Sequence, residues 1–394
     1  LRETLVDATA MVSTNELAIQ LGLPRKSIKG LSVIKHATFA QEVLSPAAEE
    51  SSRQTLSLGK INHLGRETDT DVQLDLQSLS MHTFISGSTG SGKSNTIYHI
   101  LSQLPKHNVN FLVVEPAKGE YKNVFGSKQG VAVYGTNPFL GNLLQINPFS
   151  FPEGIHIYEH LDRLVEIFNV CWPMYAAMPA ILKDAIERAY VQAGWDLKQS
   201  KNEYSSHLFP NFIDVLEQIE TVMDQSWYSD ENKGDYKGSL CTRLRSLTNG
   251  INSLVFTTDE LQPAELFDQN VIVDLSRIGS AETKSLIMGI LVMKLQEYRM
   301  AASQGMNNPL KHVTVLEEAH NLLKRTSTEQ SSESANLLGK SVEMLTNAIA
   351  EMRTYGEGFI IADQSPGLLD MAVIRNTNTK IIMRLPEYSD RDLV

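Results

Sequence analysis

Gly87-Ser88-Thr89-Gly90-Ser91-Gly92-Lys93-Ser94 fills every fixed position of the pattern G-x-x-x-x-G-K-[S/T]. The glycines allow the backbone to curl until its N–H groups face a polyphosphate. The Lys93 ammonium then neutralises the β/γ-phosphates, and the Ser94 hydroxyl can ligate Mg²⁺. Context supports this reading. Met81-His82-Thr83-Phe84-Ile85-Ser86 predicts a strand before the loop, and Asn95-Thr96-Ile97-Tyr98-His99-Ile100-Leu101 continues after it as a helix whose N-terminal dipole favours an anion. The expected phosphate cradle is therefore Gly87, Ser88, Thr89, Gly90, Ser91, Gly92, Lys93 and Ser94, with Asn95 on the first helical turn.

Working outward, 109–116 is a short apolar run rich in β-branched residues that suits a buried parallel strand, and its carboxyl end should lie beside the nucleotide. Three more buried strands are predicted at 270–274, 312–316 and 358–362, with amphipathic helices at 281–303 and 335–353 between them. Strands alternating with helices predict an α/β fold with a mainly parallel central sheet. Residues 157–175, 180–193, 212–223 and 240–248 carry apolar residues at three- and four-residue spacing, which predicts a helical insertion over 153–250. Upstream, 56–61 and 72–76 alternate like strands of an edge meander leading into the phosphate-loop strand. Ser13-Thr14-Asn15-Glu16 predicts a capping box opening a short helix that ends at Gly22. Residues 44–54 have linker composition, so the expected division is an accessory segment over 1–50 and one large domain over 51–394. The polar, aperiodic stretch 324–335 predicts a mobile loop.

The chain has 394 residues and a net charge of −11, which argues against a surface coated for duplex DNA, although a pore needs basic groups only on the loops that line it. No apolar run is long enough to span a bilayer and no leader pattern is seen, so the expectation is a cytoplasmic protein with no direct membrane contact. Cys171 and Cys241 lack metal-ligand spacing and are expected to be buried free thiols. The sequence opens on Leu1 and its last strand candidate stops near Val394, so it is read as a portion of something longer.

Hydrolysis needs a metal carboxylate, a base for water and a group that senses the terminal phosphate. His312-Val313-Thr314-Val315-Leu316-Glu317-Glu318-Ala319-His320 is an apolar strand ending in two adjacent acids. Glu317 is expected to hold Mg²⁺, through water, and Glu318 to polarise the attacking water; the alternative is an acidic helix start stabilised by the dipole. Asp274 is a rival metal carboxylate, but it lacks a second acid beside it and is expected to cap or to sit at the sheet edge. Gln364 could reach the terminal phosphate or the water, or could simply cap the next helix. Arg353 and Arg384 are candidates for stabilising transition-state charge in their own site or a neighbour's, against the alternative of solvated surface arginines. His156 and His160 have helical metal-ligand spacing without the glutamate that H-E-x-x-H requires, so no metal is expected there. Glu115-Pro116-Ala117-Lys118 has the wrong spacing for a nuclease carboxylate–lysine strand.

The phosphate loop, the strand ending Glu115-Pro116-Ala117-Lys118-Gly119-Glu120-Tyr121, the Glu317-Glu318-Ala319-His320 block, and Asp363-Gln364-Ser365-Pro366 followed by Asn376-Thr377-Asn378-Thr379-Lys380 together resemble the HerA/FtsK superfamily, with HerA-like ATPases of bacteria the nearest in look. The resemblance covers about 55–394, interrupted by the helical insertion. It implies a RecA-like core, assembly into hexameric rings, hydrolysis of ATP with Mg²⁺ at subunit interfaces, and translocation of double-stranded DNA through the pore. Carried over by position, Lys93 and Ser94 bind phosphate and metal, Glu317 and Glu318 form the acidic pair, Gln364 is the sensor, and Arg353 or Arg384 takes an arginine role. A partner nuclease or effector, in end processing or antiphage defence, is implied as well. The resemblance departs at Glu317, where the wider superfamily commonly has Asp, and at residues 1–50, where its N-terminal β-barrel is not recognisable. Motors for conjugation or secretion share these motifs, and a nucleotide-gated scaffold is the reading from another class.

Overall fold

The computed structural model describes residues 13–15, 27, 29 and 54–394 apart from positions 64, 173, 304, 306 and 327–333. Most of the expected capping-box helix, the linker and boundary near 50, and most of the expected 324–335 loop lie outside the described residues. Two compact units are present, one of residues 1–45 with 60–70 and one of residues 46–59 with 71–394. In the first, Thr68 donates from its hydroxyl to the Ile61 carbonyl at 3.0 Å and Lys60 lies 3.9 Å from Glu67.

Strands β1 (Thr55–His63) and β2 (Arg66–Asp75) pair with each other in a two-stranded sheet of their own. They form no edge of the central sheet, contrary to the expected meander; alternate residues stay solvent-exposed, as a ribbon covered on one face requires. The central sheet contains β3 (Thr83–Ser86), β4 (Asn110–Glu115), β5 (Val131–Gly135), β6 (Asn142–Leu143), β9 (Asn270–Asp274), β10 (His312–Leu316), β11 (Glu357–Asp363) and β12 (Thr379–Ile382). Strands β7 (Trp195–Asp196) and β8 (Lys201–Asn202) form a small separate antiparallel pair. The central order is β12-β3-β11-β10-β4-β9-β5-β6, and every neighbouring pair is parallel. All carboxyl ends therefore emerge along one edge, where ligands of open α/β sheets bind.

Strand residues alternate between two cores. Phe84, Leu112, Val114, Val271, Val273, Leu316, Phe359 and Ile361 face one side. Ile85, Phe111, Val113, Ile272, Val313, Val315, Ile360 and Ala362 face the other, where helix α1 (Lys93–Gln103) supplies Ile97, Ile100 and Leu101. Burial on both faces is why these strands read as continuous apolar runs rather than alternating ones.

Helices α2 (Ile157–Cys171), α3 (Met178–Gln192), α4 (Phe212–Gln225) and α5 (Asp230–Thr248) occupy the stretch of helical periodicity. Leu161, Leu164, Phe168, Ile186, Ile219 and Leu244 from these helices belong to the same continuous core as Leu112 and Val114 of the sheet. Helix α6 (Ala281–Ala302) is buried from Leu286 through Glu297 and is apolar nearly all round, as an internal helix must be. Helix α7 (Ser334–Glu351) precedes β11. His156 and His160 form no metal pair: the His156 ring accepts the Tyr158 N–H at 3.2 Å as a helix cap, while His160 is fully buried with its Nδ1 3.0 Å from Glu297. Cys171 and Cys241 are buried free thiols. Among the described residues no helix is long and apolar enough to cross a membrane.

Candidate nucleotide site

Strand β3 delivers the chain into the glycine loop at the carboxyl edge. Gly90 and Gly92 have φ of 77° and 104°, a region that L side chains rarely adopt, so the curl of the loop depends on them. Gly87 is needed for space: a Cβ there would lie 2.4 Å from Ser91 Oγ and 2.7 Å from Met383 Cβ. The loop is tied to its neighbours by the Ser88 N–H, which donates to the Arg384 carbonyl at 3.0 Å, and by the Met383 N–H, which donates to the Ser86 carbonyl at 2.8 Å. A cleft of about 260 Å³ opens over it, lined by Ser88, Thr89, Gly90, Gly92, Lys93, Ser94 and Asn95, and across from them by Lys118, Glu120 and Gln364.

Both acids of the 312–320 block reach the loop. Lys93 Nζ lies 3.4 Å from Glu317 Oε2 and 3.5 Å from Glu318 Oε1, in surroundings that leave the lysine and both acids largely buried. The strand β10 ends at Leu316, and Glu318 adopts φ 46°, a left-handed conformation that turns its carboxylate back toward the loop. Non-glycine residues held this way concentrate at functional sites. The Gln364 amide donates to Glu318 Oε1 at 2.6 Å, while its carbonyl oxygen accepts the Thr89 hydroxyl at 2.9 Å. Gln364 thus bridges the phosphate loop and the acid.

Behind this layer stands a second one. The Tyr121 hydroxyl donates to Glu317 Oε1 at 2.6 Å, and burial, with Glu317 beside it, holds the phenol well above its ordinary range. Burial also pushes Tyr98 up to about 12, helped by the charges of Glu120, Glu115 and Glu317. The Glu115 carboxylate accepts the N–H groups of Glu120 and Tyr121 at 2.7 and 3.1 Å; burial nevertheless raises its pKa to about 7, helped by Asp274 and Glu317 nearby. Asp363, fully buried, accepts the His320 N–H and lies 2.9 Å from His320 Nδ1, and that contact raises the imidazole above its usual value. Glu318, His320 and Asp363 offer ligand atoms within 4.8 Å of one another.

The candidates divide. Lys93, Ser94, Asn95, Glu317, Glu318 and Gln364 gather around one cleft or its immediate wall. Asp274 stands apart from Lys93: it pairs with Lys122 at 2.7 Å and accepts the Ser276 N–H, and although burial opposes ionisation these bonds hold it below the usual carboxylate range. Arg384 is exposed at the carboxyl edge beside the loop. Arg353 is not beside the loop. It precedes the first residue of β11, and a seven-residue strand running roughly 20 Å carries the chain from that edge of the sheet to the one that holds Lys93. Within one chain, therefore, Arg353 does not reach this site. Lys118, Glu120, Tyr121 and His320 escaped the sequence reading as site residues, although all four sit within two of the blocks that carry the resemblance.

The profile of the HerA helicase central domain matches residues 58–295. The chain belongs to this family. The DNA double-strand break repair helicase HerA of Sulfurisphaera tokodaii is 23% identical over 352 residues, covering 87% of this chain and 62% of the relative. The chain thus spans about three fifths of that relative's length. Among solved structures, VirB4 of Thermoanaerobacter pseudethanolicus superposes with a TM-score of 0.62 at 16% identity, covering 85% of each chain. The plasmid coupling protein TrwB in complex with the non-hydrolysable ATP analogue ADPNP gives 0.52 at 12% identity, covering 84% of this chain and 80% of that one. At these identities the likeness is one of fold, and the fold of this HerA-family chain is that of a RecA-like P-loop ATPase.

Proposed function

We propose that this chain is the ATP-hydrolysing core of a HerA-type motor acting on double-stranded DNA. The observation that carries the reading is the convergence of Glu317 and Glu318 on Lys93, within 3.5 Å, at the mouth of the glycine loop. The loop amides and Lys93 bind the phosphates of ATP, with Asn95 flanking them. An incoming phosphate takes over the Lys93 ammonium, which frees Glu318 Oε1 to accept a proton from the attacking water. Gln364, joined to both Thr89 and Glu318, keeps the base in register with the loop. Ser94 and Glu317 form an all-oxygen donor set that fits a hard divalent cation and would hold Mg²⁺. Held there, it would supply positive charge against that of the phosphates. Arg384, exposed beside the loop, takes the arginine role of stabilising transition-state charge, in this subunit or an adjoining one.

Hexameric ring assembly, a nuclease or effector partner and a role in end processing or antiphage defence extend the same proposal; that the Sulfurisphaera relative is a double-strand break repair helicase supports end processing. The test is the rate of ATP hydrolysis by the full-length protein with and without duplex DNA, beside the mass of the assembly. Duplex-stimulated turnover that disappears in Lys93→Ala is expected. Lys93→Ala turning over normally would overturn the site, and turnover indifferent to DNA would replace the motor with a nucleotide-gated scaffold.

A further inference from the structure

One turn beside the cleft has more built into it than a connection needs. After β4, Glu115 clasps the N–H groups of Glu120 and Tyr121, and the Gly119 N–H donates to the Ala117 carbonyl at 2.8 Å. Lys118 and Gly119 are both left-handed, with φ of 65° and 68°. Gly119 has no room to shift: a Cβ there would stand 3.0 Å from the Ser276 hydroxyl and 3.2 Å from the Asp274 carboxylate, which is itself fixed by Lys122. A lysine forced into this conformation carries a cost that ordinary turns avoid by using glycine or asparagine, and such costs concentrate at ligand clamps.

The constrained turn presents Lys118 to the nucleotide cleft, opposite Ser88, Lys93 and Ser94. Its side chain is exposed, and among the described residues its ammonium has no ion pair, whereas Lys122 on the next helix turn is committed to Asp274. Charge in the cleft points the same way. Lys93 is shared between two carboxylates, and Glu120 adds a third acid to the lining, so the loop lysine alone leaves the site short of positive charge for a triphosphate.

We infer that Lys118 is a second phosphate-binding cation of this cleft and contacts the terminal phosphate of the nucleoside triphosphate. The inference rests on the reading of the cleft as a nucleotide site. Strand order assigns the terminal position. Moving away from β3 and its loop, the sheet presents β11 with Gln364, then β10 with the two acids, then β4 with Lys118. The amides of the glycine loop take the inner phosphates, and Lys118 approaches from beyond the acids, the side on which the bond to be cleaved must lie.

The experiment compares equilibrium binding of a fluorescent non-hydrolysable ATP analogue and of fluorescent ADP to full-length wild-type protein, Lys118→Met, Lys118→Arg and Lys93→Ala. Loss of a charged contact to the terminal phosphate should weaken the ATP analogue about tenfold or more in Lys118→Met, leave ADP within about threefold, and be largely restored in Lys118→Arg. Unchanged affinity for the ATP analogue, or equal loss for both nucleotides, overturns the assignment. Lys93→Ala reads the cleft separately: if it binds both nucleotides like wild type, the nucleotide site itself is misplaced, whatever Lys118 does.

Discussion

Glu318→Gln is the substitution that most directly interrogates the proposed chemistry. Glutamine has the length of glutamate and retains an oxygen able to accept the Gln364 amide, which lies 2.6 Å from Glu318 Oε1. The bridge from Thr89 through Gln364 can therefore persist, while the negative charge that would take a proton from water is gone. Positioned bases contribute roughly 10²–10⁴ in rate, so kcat should fall by that factor, about 3–5 kcal/mol of barrier. Binding should move the opposite way. Glu318 lies 3.5 Å from Lys93 Nζ, and two unit charges at that separation interact by about 5 kcal/mol at an effective dielectric of 20, an upper limit for what the substitution releases to the phosphates. The variant should bind ATP as tightly as wild type or tighter, and trap it unhydrolysed. Steady-state phosphate release at saturating ATP, with filter binding of labelled ATP, measures both quantities. A variant that keeps kcat within tenfold of wild type removes Glu318 as base. One that loses ATP binding as well would mean that the acid organises the loop rather than the water.

Tyr121→Phe deletes the hydroxyl that donates to Glu317 at 2.6 Å, and should cost about 0.5–1.5 kcal/mol in denaturant unfolding and raise the Mg²⁺ concentration needed for half-maximal turnover; an unchanged metal requirement would show that Tyr121 does not position Glu317. Glu115 keeps its proton up to about pH 7 in the folded chain, against an ordinary value of 4.5, so between those values the folded state holds a proton that the unfolded state has lost. Stability should therefore fall as pH rises from about 5 to 7, and Glu115→Gln should flatten that slope in denaturant midpoints taken across the window. Glu297 is fully buried between His160 and Arg163, and Glu297→Ala should cost about 3–5 kcal/mol by stranding those partners, with thermal unfolding as the readout; a loss below 1 kcal/mol would mean that the pair is not desolvated.

Much of this site is legible in the sequence because its parts sit at strand ends, and strand ends are where an apolar run meets the first polar residue. Glu317, Glu318 and Gln364 are all found by that rule. Arg353 shows its limit: it precedes a strand instead of following one, and a parallel sheet puts those two positions on opposite edges. Strands β5 and β6 escaped prediction because a five-residue run bounded by Gly130 and Gly135, followed by a two-residue bridge, carries too little periodicity to separate from a turn. The acceptor role of Glu115 was out of reach for another reason. It is fixed by the Glu120 and Tyr121 N–H groups, whose direction depends on two successive left-handed residues, and only Gly119 of that pair advertises itself. The helical stretch 153–250 was recognisable by its period, but period does not reveal which surface a helix buries, so its fusion with the core of the sheet required coordinates.

The two edges of the sheet show how buried charge can be sorted into structure and function. At the amino edge, Glu357 is fully buried, yet it meets His312 at 2.7 Å, the Thr314 hydroxyl at 2.8 Å and Arg299 at 3.2 Å, and Arg299 pairs again with Asp268 at 2.7 Å. Burial works against the Glu357 charge, but these partners hold its carboxyl below the usual range. Two acids face an arginine and an imidazole, and every carboxylate oxygen has a partner. At the carboxyl edge, two adjacent acids share one lysine, one of them on a strained backbone, and a lysine with no ion pair among the described residues is held across an open cleft. A network built only for stability would not leave charge unmatched on both sides of an opening, because each uncompensated group costs desolvation without a return. A ligand that carries negative charge to both lysines and positive charge to both acids, such as the metal-bound triphosphate proposed above, would resolve the mismatch. Glu357→Gln should accordingly lower stability without altering nucleotide affinity, and Glu317→Gln should do the reverse; unfolding and binding measured on the same two variants would expose a misassignment of either edge.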